Sequence, residues 1–250
     1  AELEPRELRV KVDPEVWRRV REHFTKPGSQ SADGAWGYQG SDGESGSMTS
    51  AGISSLIIAG MRMHEGEEKI TNGQIEKCGQ WQQNDAIARG LEWRGRHERL
   101  VETNPGSGQW HFYYLYGLER AARLSGQRFL GKHDWYREGA KMLVEAQGPG
   151  GVWERGGLDG SVLISTSFAL LFLAKGRSPV LMNKLRHDAA DPSKTEDWNN
   201  DRNDVRNLVE HCSRHWERRM TWQVVDAKVS GDPAVLKRVE DFLQAPVLFI

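Results

Sequence analysis

The sequence predicts a mainly α fold of stacked helical hairpins, followed by a shorter α/β segment with a parallel sheet. Three observations predict it. A glycine–tryptophan frame recurs, as "QSADGAW" (30 to 36), "NPGSGQW" (104 to 110) and "QGPGGVW" (147 to 153). Amphipathic and uniformly apolar helical segments flank the frames. The period of the pattern changes after Arg177. The frame is Gln30, Gly34 and Trp36 in the first copy and Gln147, Gly151 and Trp153 in the third. The middle copy keeps Gly108 and Trp110 but carries Asn104 in place of glutamine. A motif written three times in 250 residues is read first as a structural repeat.

The helices follow in order. "DPEVWRRVREHF" offers Asp13 as N-cap, Pro14 at the first helical position, and an apolar stripe of Val16, Trp17, Val20 and Phe24. "SMTSAGISSLIIAG" (47 to 60) is rich in small and apolar residues. "NDAIARGLEWRGRHERLV" (84 to 101) is amphipathic, and "WHFYYLYGLERAARLSG" (110 to 126) opens aromatic and closes on glycine. "HDWYREGAKMLVEAQ" (133 to 147) is amphipathic again, with Asp134 as cap. "VLISTSFALLFLA" (162 to 174) is apolar almost all round. Amphipathic helices keep one face in water, whereas helices apolar all round need cover on every side. Hairpins with polar outer and apolar inner helices therefore stack into a curved double layer. Trp110 and Trp153 stand 43 residues apart, a two-helix repeat, but Trp36 and Trp110 stand 74 apart. The polar stretch from Arg62 to Asn84 is the place for an insertion of about 30 residues.

The frame between an outer and an inner helix resembles the QW repeat of squalene–hopene cyclases and related prenyltransferase-type proteins, over residues 14 to 176. The resemblance implies an α/α toroid, or a partial one. It also implies that Gln30 and Gln147 hydrogen-bond near helix ends while Trp36 and Trp153 pack between repeats. The nine frame residues then staple the repeats together. Asn104 departs from the pattern with a shorter side chain. A full toroid takes about twice as many hairpins, so further repeats are expected outside the chain, or an open arc in their place.

Residues 1 to 177 thus read as one helical-repeat domain and 178 to 250 as the beginning of a second. "SPVLMNKL" (178 to 185) is a strand. "DVRNLVEHCSRHWERR" is a helix with Val205, Leu208, Val209, Cys212 and Trp216 on one face. "MTWQVVD" (220 to 226), "DPAVLKRVEDFLQ" and "APVLFI" continue as strand, helix and strand, the opening of a parallel sheet. This segment resembles the start of a domain of unknown function related to class I glutamine-amidotransferase-like folds, expected here in truncated form.

Composition narrows the function. Hydrophobic residues make up 38% and the net charge is −1, which excludes a disordered chain and gives no basic footprint for nucleic acid. No run reaches the roughly 18 apolar residues of a membrane span. Cys78 and Cys212 stand far apart without a CxxC partner, so no disulfide framework or cysteine zinc site is expected. The chain begins at Ala1, which reads as a processed or excised segment and leaves its compartment open. The D-x-D-D acid of squalene-type cyclases and the Asp, Cys and His zinc set of protein prenyltransferases are both missing. "NDRND" (200 to 204) is a poor match to a magnesium-binding D-D-x-x-D, and Asp204 fits a helix cap. His211 and His215 at i and i+4 lack the glutamate of H-E-x-x-H.

Polar groups at the starts of the inner helices remain as candidate ligand contacts: Thr49, His111, Tyr114, Asp159 and Thr166, with Ser50 and Ser165 beside them. Backbone hydrogen bonding by the hydroxyls is the structural alternative. The expected role is a non-catalytic binding or scaffold module. Its apolar and aromatic concavity would take a lipid-like, peptide or glycan ligand, with no cofactor or metal. The rival is an isoprenoid cyclase or prenyltransferase whose catalytic residues lie outside this chain.

Overall fold

The computed structural model describes residues 12–64, 69–72, 74–76, 85–154, 160–174, 178–186, 203–226 and 245–249. Helix α1 (Pro14–Thr25) starts where its sequence says, because Asp13 accepts the Glu15 amide at 2.8 Å. Helix α2 (Gly46–Met63) is capped by Ser45, whose hydroxyl accepts from the Met48 amide. Helices α3 (Asp85–Gly95), α4 (His111–Leu124), α5 (Trp135–Glu145) and α6 (Val162–Ala174) follow. Asp134 caps α5 through the Arg137 amide at 3.1 Å. Helix α3 stops earlier than its amphipathic pattern because Gly95 backs onto the 130–131 turn. A Cβ at Gly95 would stand 2.6 Å from the Gly131 nitrogen.

Two antiparallel hairpins interrupt the helices. Strands β1 (Gly37–Gln39) and β2 (Asp42–Glu44) pair after the first frame, and β3 (Lys69–Thr71) and β4 (Gln74–Glu76) pair after α2. The second hairpin falls inside the stretch read from the sequence as an insertion.

Helix α2 packs against α1, α3 and α4, α4 packs against α6, and α5 lies on α6. The result is mainly helical, with an inner row of α2, α4 and α6 and an outer set of α1, α3 and α5. Trp36 joins these layers. It is 2% exposed, its indole Nε1 donates to the Phe24 carbonyl at the end of α1, and its amide donates to the Thr49 hydroxyl in α2 at 3.2 Å. Glycines make room for the ring: a Cβ at Gly52 or Gly90 would lie 2.6 or 2.7 Å from it. Trp153 repeats the arrangement. Its Nε1 donates to Leu143 at 2.7 Å and its amide to the Thr166 hydroxyl at 3.1 Å, again thirteen residues on. Gln30 donates to the Gly34 and Ala86 carbonyls, both at 2.8 Å, and Gln147 donates to Gly151 at 3.1 Å.

The middle frame departs from this pattern, contrary to its reading as a third staple. Trp110 directly precedes α4, adopts a left-handed φ of +57°, and is 46% exposed. No stretch of chain separates it from the inner helix, so its ring cannot turn back under the outer one. Leu100 and Val101 are buried in that part of the core instead. Asn104 is buried with new partners: Oδ1 accepts the Ser47 amide at 3.0 Å and Nδ2 donates to Gln109 at 2.8 Å. Its short side chain holds the start of the neighbouring inner helix α2.

A second correction concerns α6. Its composition asks for cover on every side, yet Leu163 (77% exposed), Ile164, Leu170 and Leu171 face outward. Only Ser165, Ala169 and Phe172 are buried. Among the described residues no helix is long and apolar enough to cross a membrane.

After α6 the chain forms β5 (Val180–Arg186), helix α7 (Asp204–His215), β6 (Thr221–Asp226) and β7 (Val247–Phe249). The three strands are parallel in the order β6-β5-β7, as the strand–helix–strand pattern predicts. Val205 and Val209 pack on Leu181 and Met182. Leu208 and Trp216, read from the sequence on that face, are exposed, because α7 packs on β5 and β6 with Val205 and Val209 and the flanks of its stripe turn outward. Asn203, not Asp204, occupies the cap position, and Asp204 pairs with Lys184 at 2.7 Å. The helix read over 232 to 244 lies outside the described residues. Just past the end of α4 the sheet meets the helices, where the Val224 amide donates to the Gly126 carbonyl at 2.7 Å and the Trp222 ring lies against Gly126.

The two kinds of frame tryptophan separate in stability. Trp36→Ala and Trp153→Ala are each expected to cost about 3 to 5 kcal/mol, the range for deleting a buried large aromatic. Trp110→Ala is expected to stay within about 0.5 kcal/mol of the parent, as at other surface positions. Urea denaturation of the three variants checks this, and equal losses at all three positions would contradict it.

Candidate functional site

A helix shows one stripe to its neighbours and another to solvent, and the start of α4 divides its polar and aromatic residues between the two. His111, Tyr114, Leu115, Leu118 and Ala122 share the buried stripe. The His111 ring nitrogen Nε2 lies 2.8 Å from the Val101 carbonyl, and the Tyr114 hydroxyl donates to Leu100. Burial pushes the Tyr114 phenol above its ordinary pKa, opposed by the nearby Arg94 cation. Thr49 and Thr166 accept the two frame tryptophan amides, and Ser50 donates to the Gly46 carbonyl at 2.9 Å. Ser165 is buried. The structure therefore places His111, Tyr114, Thr49 and Thr166 in backbone-holding positions. Asp159 lies outside the described residues.

The opposite stripe is the one that meets solvent. Trp110 and Tyr113 are exposed at the head of α4, and Tyr116 and Arg120 continue the line along the helix. Tyr113 and Tyr116 both contact Phe168 of α6, with ring centroids 5.7 and 5.4 Å apart. Helix α6 also carries the exposed Leu163, Ile164, Leu170 and Leu171, of which Ile164 and Leu171 fall nearest to Phe168 at helical spacing. The Arg120 guanidinium sits 5.7 Å above the Tyr116 ring, and its Nη1 lies 3.4 Å from the Tyr116 hydroxyl. Aromatic residues of α4 and exposed aliphatic residues of α6 thus stand on neighbouring helices as an apolar strip, with Arg120 beside Tyr116. At its head, Trp110 holds a backbone conformation that costs a non-glycine residue about 1 to 3 kcal/mol, and such strain gathers at ligand sites.

Such a surface can bind an apolar chain by burial and an anionic group by charge. Among the described residues no three His, Cys, Asp or Glu side chains gather to hold a metal. His211 and His215 stack with rings 6.3 Å apart on the exposed side of α7. The sequence pattern contained the signal for the strip. Spacing of three and four from Leu115 and Leu118 assigns His111 and Tyr114 to the core and leaves Trp110 and Tyr113 outside. Arg94 of α3, a further polar residue not singled out from the sequence, reaches in to the Gly46 carbonyl at the start of α2.

Comparison with protein-family models, with curated proteins and with solved structures finds no match to this chain.

If Tyr114 serves the fold and not a ligand, Tyr114→Phe loses one buried hydrogen bond and strands the Leu100 carbonyl. The expected cost is about 1 to 2 kcal/mol. Chemical denaturation reads it, and a Tyr114→Phe protein as stable as the parent would remove the phenol from that role.

Proposed function

We propose that this chain is a binding module whose hairpins form an arc of an α/α toroid, and that its ligand is a lipid-like molecule with an apolar chain and an anionic end. The observation that carries this reading is the strip from Trp110 through Tyr113 and Phe168 to Leu163, Ile164, Leu170 and Leu171. Large exposed apolar areas mark places where something docks. Arg120 favours a ligand with a negatively charged head over a neutral glycan, because its guanidinium bonds to a tyrosine hydroxyl and, among the described residues, to no carboxylate. The parallel order of the α2 and α4 starts, where Gly46 abuts Tyr114 and Gly117 abuts Ser50, fits inner helices running side by side around an arc. The chemistry supported is binding and presentation of the ligand, and the short sheet β6-β5-β7 is a second unit carried beside it.

A fluorescent fatty acid, 11-(dansylamino)undecanoate, titrated into the full chain tests this. Saturable binding is expected, with decanoate competing better than decanol. Leu170→Glu and Trp110→Ala should each weaken binding about 10-fold or more, the worth of one buried apolar side chain, while leaving the melting temperature in place. Absence of saturable binding, or binding indifferent to both substitutions, would remove the strip as a ligand site.

A further inference from the structure

Arg94 is fully buried between α2, α3 and α4, and among the described residues no carboxylate accompanies it. Its Nη1 donates to the Gly46 carbonyl at 2.5 Å, and its guanidinium carbon lies 4.7 Å above the Tyr114 ring. The other two nitrogens, Nε and Nη2, are buried and have no hydrogen-bond partner among the described residues. These two lie on the same edge of the guanidinium plane and point their N–H bonds in parallel. That edge is the fork with which arginine grips both oxygens of a carboxylate or a single small anion.

The surrounding groups leave the fork without an internal acceptor. The Gly46 carbonyl already accepts Nη1 and the Ser50 hydroxyl. Asn104 spends its side-chain oxygen on the Ser47 amide, and the Tyr114 hydroxyl donates to Leu100. A naked guanidinium in such a place bears a desolvation cost that proteins ordinarily offset with a counterion. Burial lowers the Arg94 pKa from its usual value, but arginine stays protonated in proteins, so the charge persists.

We propose that the Nε and Nη2 edge of Arg94 holds a small monovalent anion, of halide or carboxylate type, as a built-in part of the helical core. The anion completes the charge balance where α3 meets the starts of α2 and α4. It is independent of the apolar strip, which lies on the solvent side of α4.

Thermal unfolding of the full chain tests this in sodium chloride, sodium formate and sodium gluconate at equal ionic strength, gluconate being too large to enclose. The melting temperature should rise by roughly 3 to 5 °C per tenfold increase in chloride or formate beyond half-saturation, and not in gluconate. Arg94→Met keeps the stem and removes the charge, so its melting temperature should be the same in all three salts. A parent indifferent to the anion overturns the proposal, as does an anion dependence that survives in Arg94→Met. If Arg94→Met fails to fold, parent crystals grown in bromide decide. An anomalous peak within hydrogen-bond distance of both nitrogens supports the site, and a water there without anomalous signal overturns it.

Discussion

The helical half of this protein hangs on one hydrogen bond made twice: a tryptophan amide donating to a threonine hydroxyl thirteen residues later. The bond fixes the connection between an outer and an inner helix to the first turn of the inner one. The same tryptophan then reaches back with its indole N–H to a carbonyl near the end of the outer helix, Phe24 in one hairpin and Leu143 in the other. One residue thus satisfies three needs together. It fills the space between layers with a large aromatic, pairs an otherwise orphaned carbonyl, and fixes the approach of the next helix. Thr49 and Thr166 look like ligand contacts in the sequence because they are polar groups at inner-helix starts, and they are spent on this bond.

The middle hairpin solves the same problem differently. Helix α3 packs on the Trp36 ring at Gly90 but has no tryptophan of its own frame beneath it, and it is held by Arg94 reaching to Gly46, by Asn104 bonded to Ser47, and by His111 and Tyr114 bonded to the 100–101 carbonyls. A polar hub replaces an aromatic staple. Polar hubs in a low-dielectric core are costly unless every donor is met, and the two open nitrogens of Arg94 mark where this one is incomplete. The exchange also frees Trp110 for the surface, where it heads the apolar strip.

The six helices and the parallel strands were legible in the sequence because each rests on local signals: caps at Asp13 and Asp134, period 3.6 in the helices, and short apolar strands between polar loops. The first and third frames were legible as staples through the resemblance of their pattern. The middle frame was not, because "NPGSGQW" matches letter for letter at glycine and tryptophan. What differs is the distance to the next helix, which a motif does not encode. The candidate site was half legible. Choosing polar residues at helix starts picked His111 and Tyr114, whereas the face of α4 on which each residue falls assigns them to the core. Arg94 gave no signal, since an arginine in "LEWRGR" reads as one more charge on a solvated helix until the neighbouring helices are in place.

Hydrogen exchange at the tryptophan N–H groups, followed by NMR, tests the staple most directly. If Trp36 and Trp153 hold the layers together, their amide and indole protons exchange only when the helical core unfolds as a whole, and their opening free energies equal the global one. The indole proton of Trp110, exposed at the head of α4, exchanges by contrast without any unfolding. Exchange of the Trp36 and Trp153 protons through small local openings, well below the global free energy, would contradict the account.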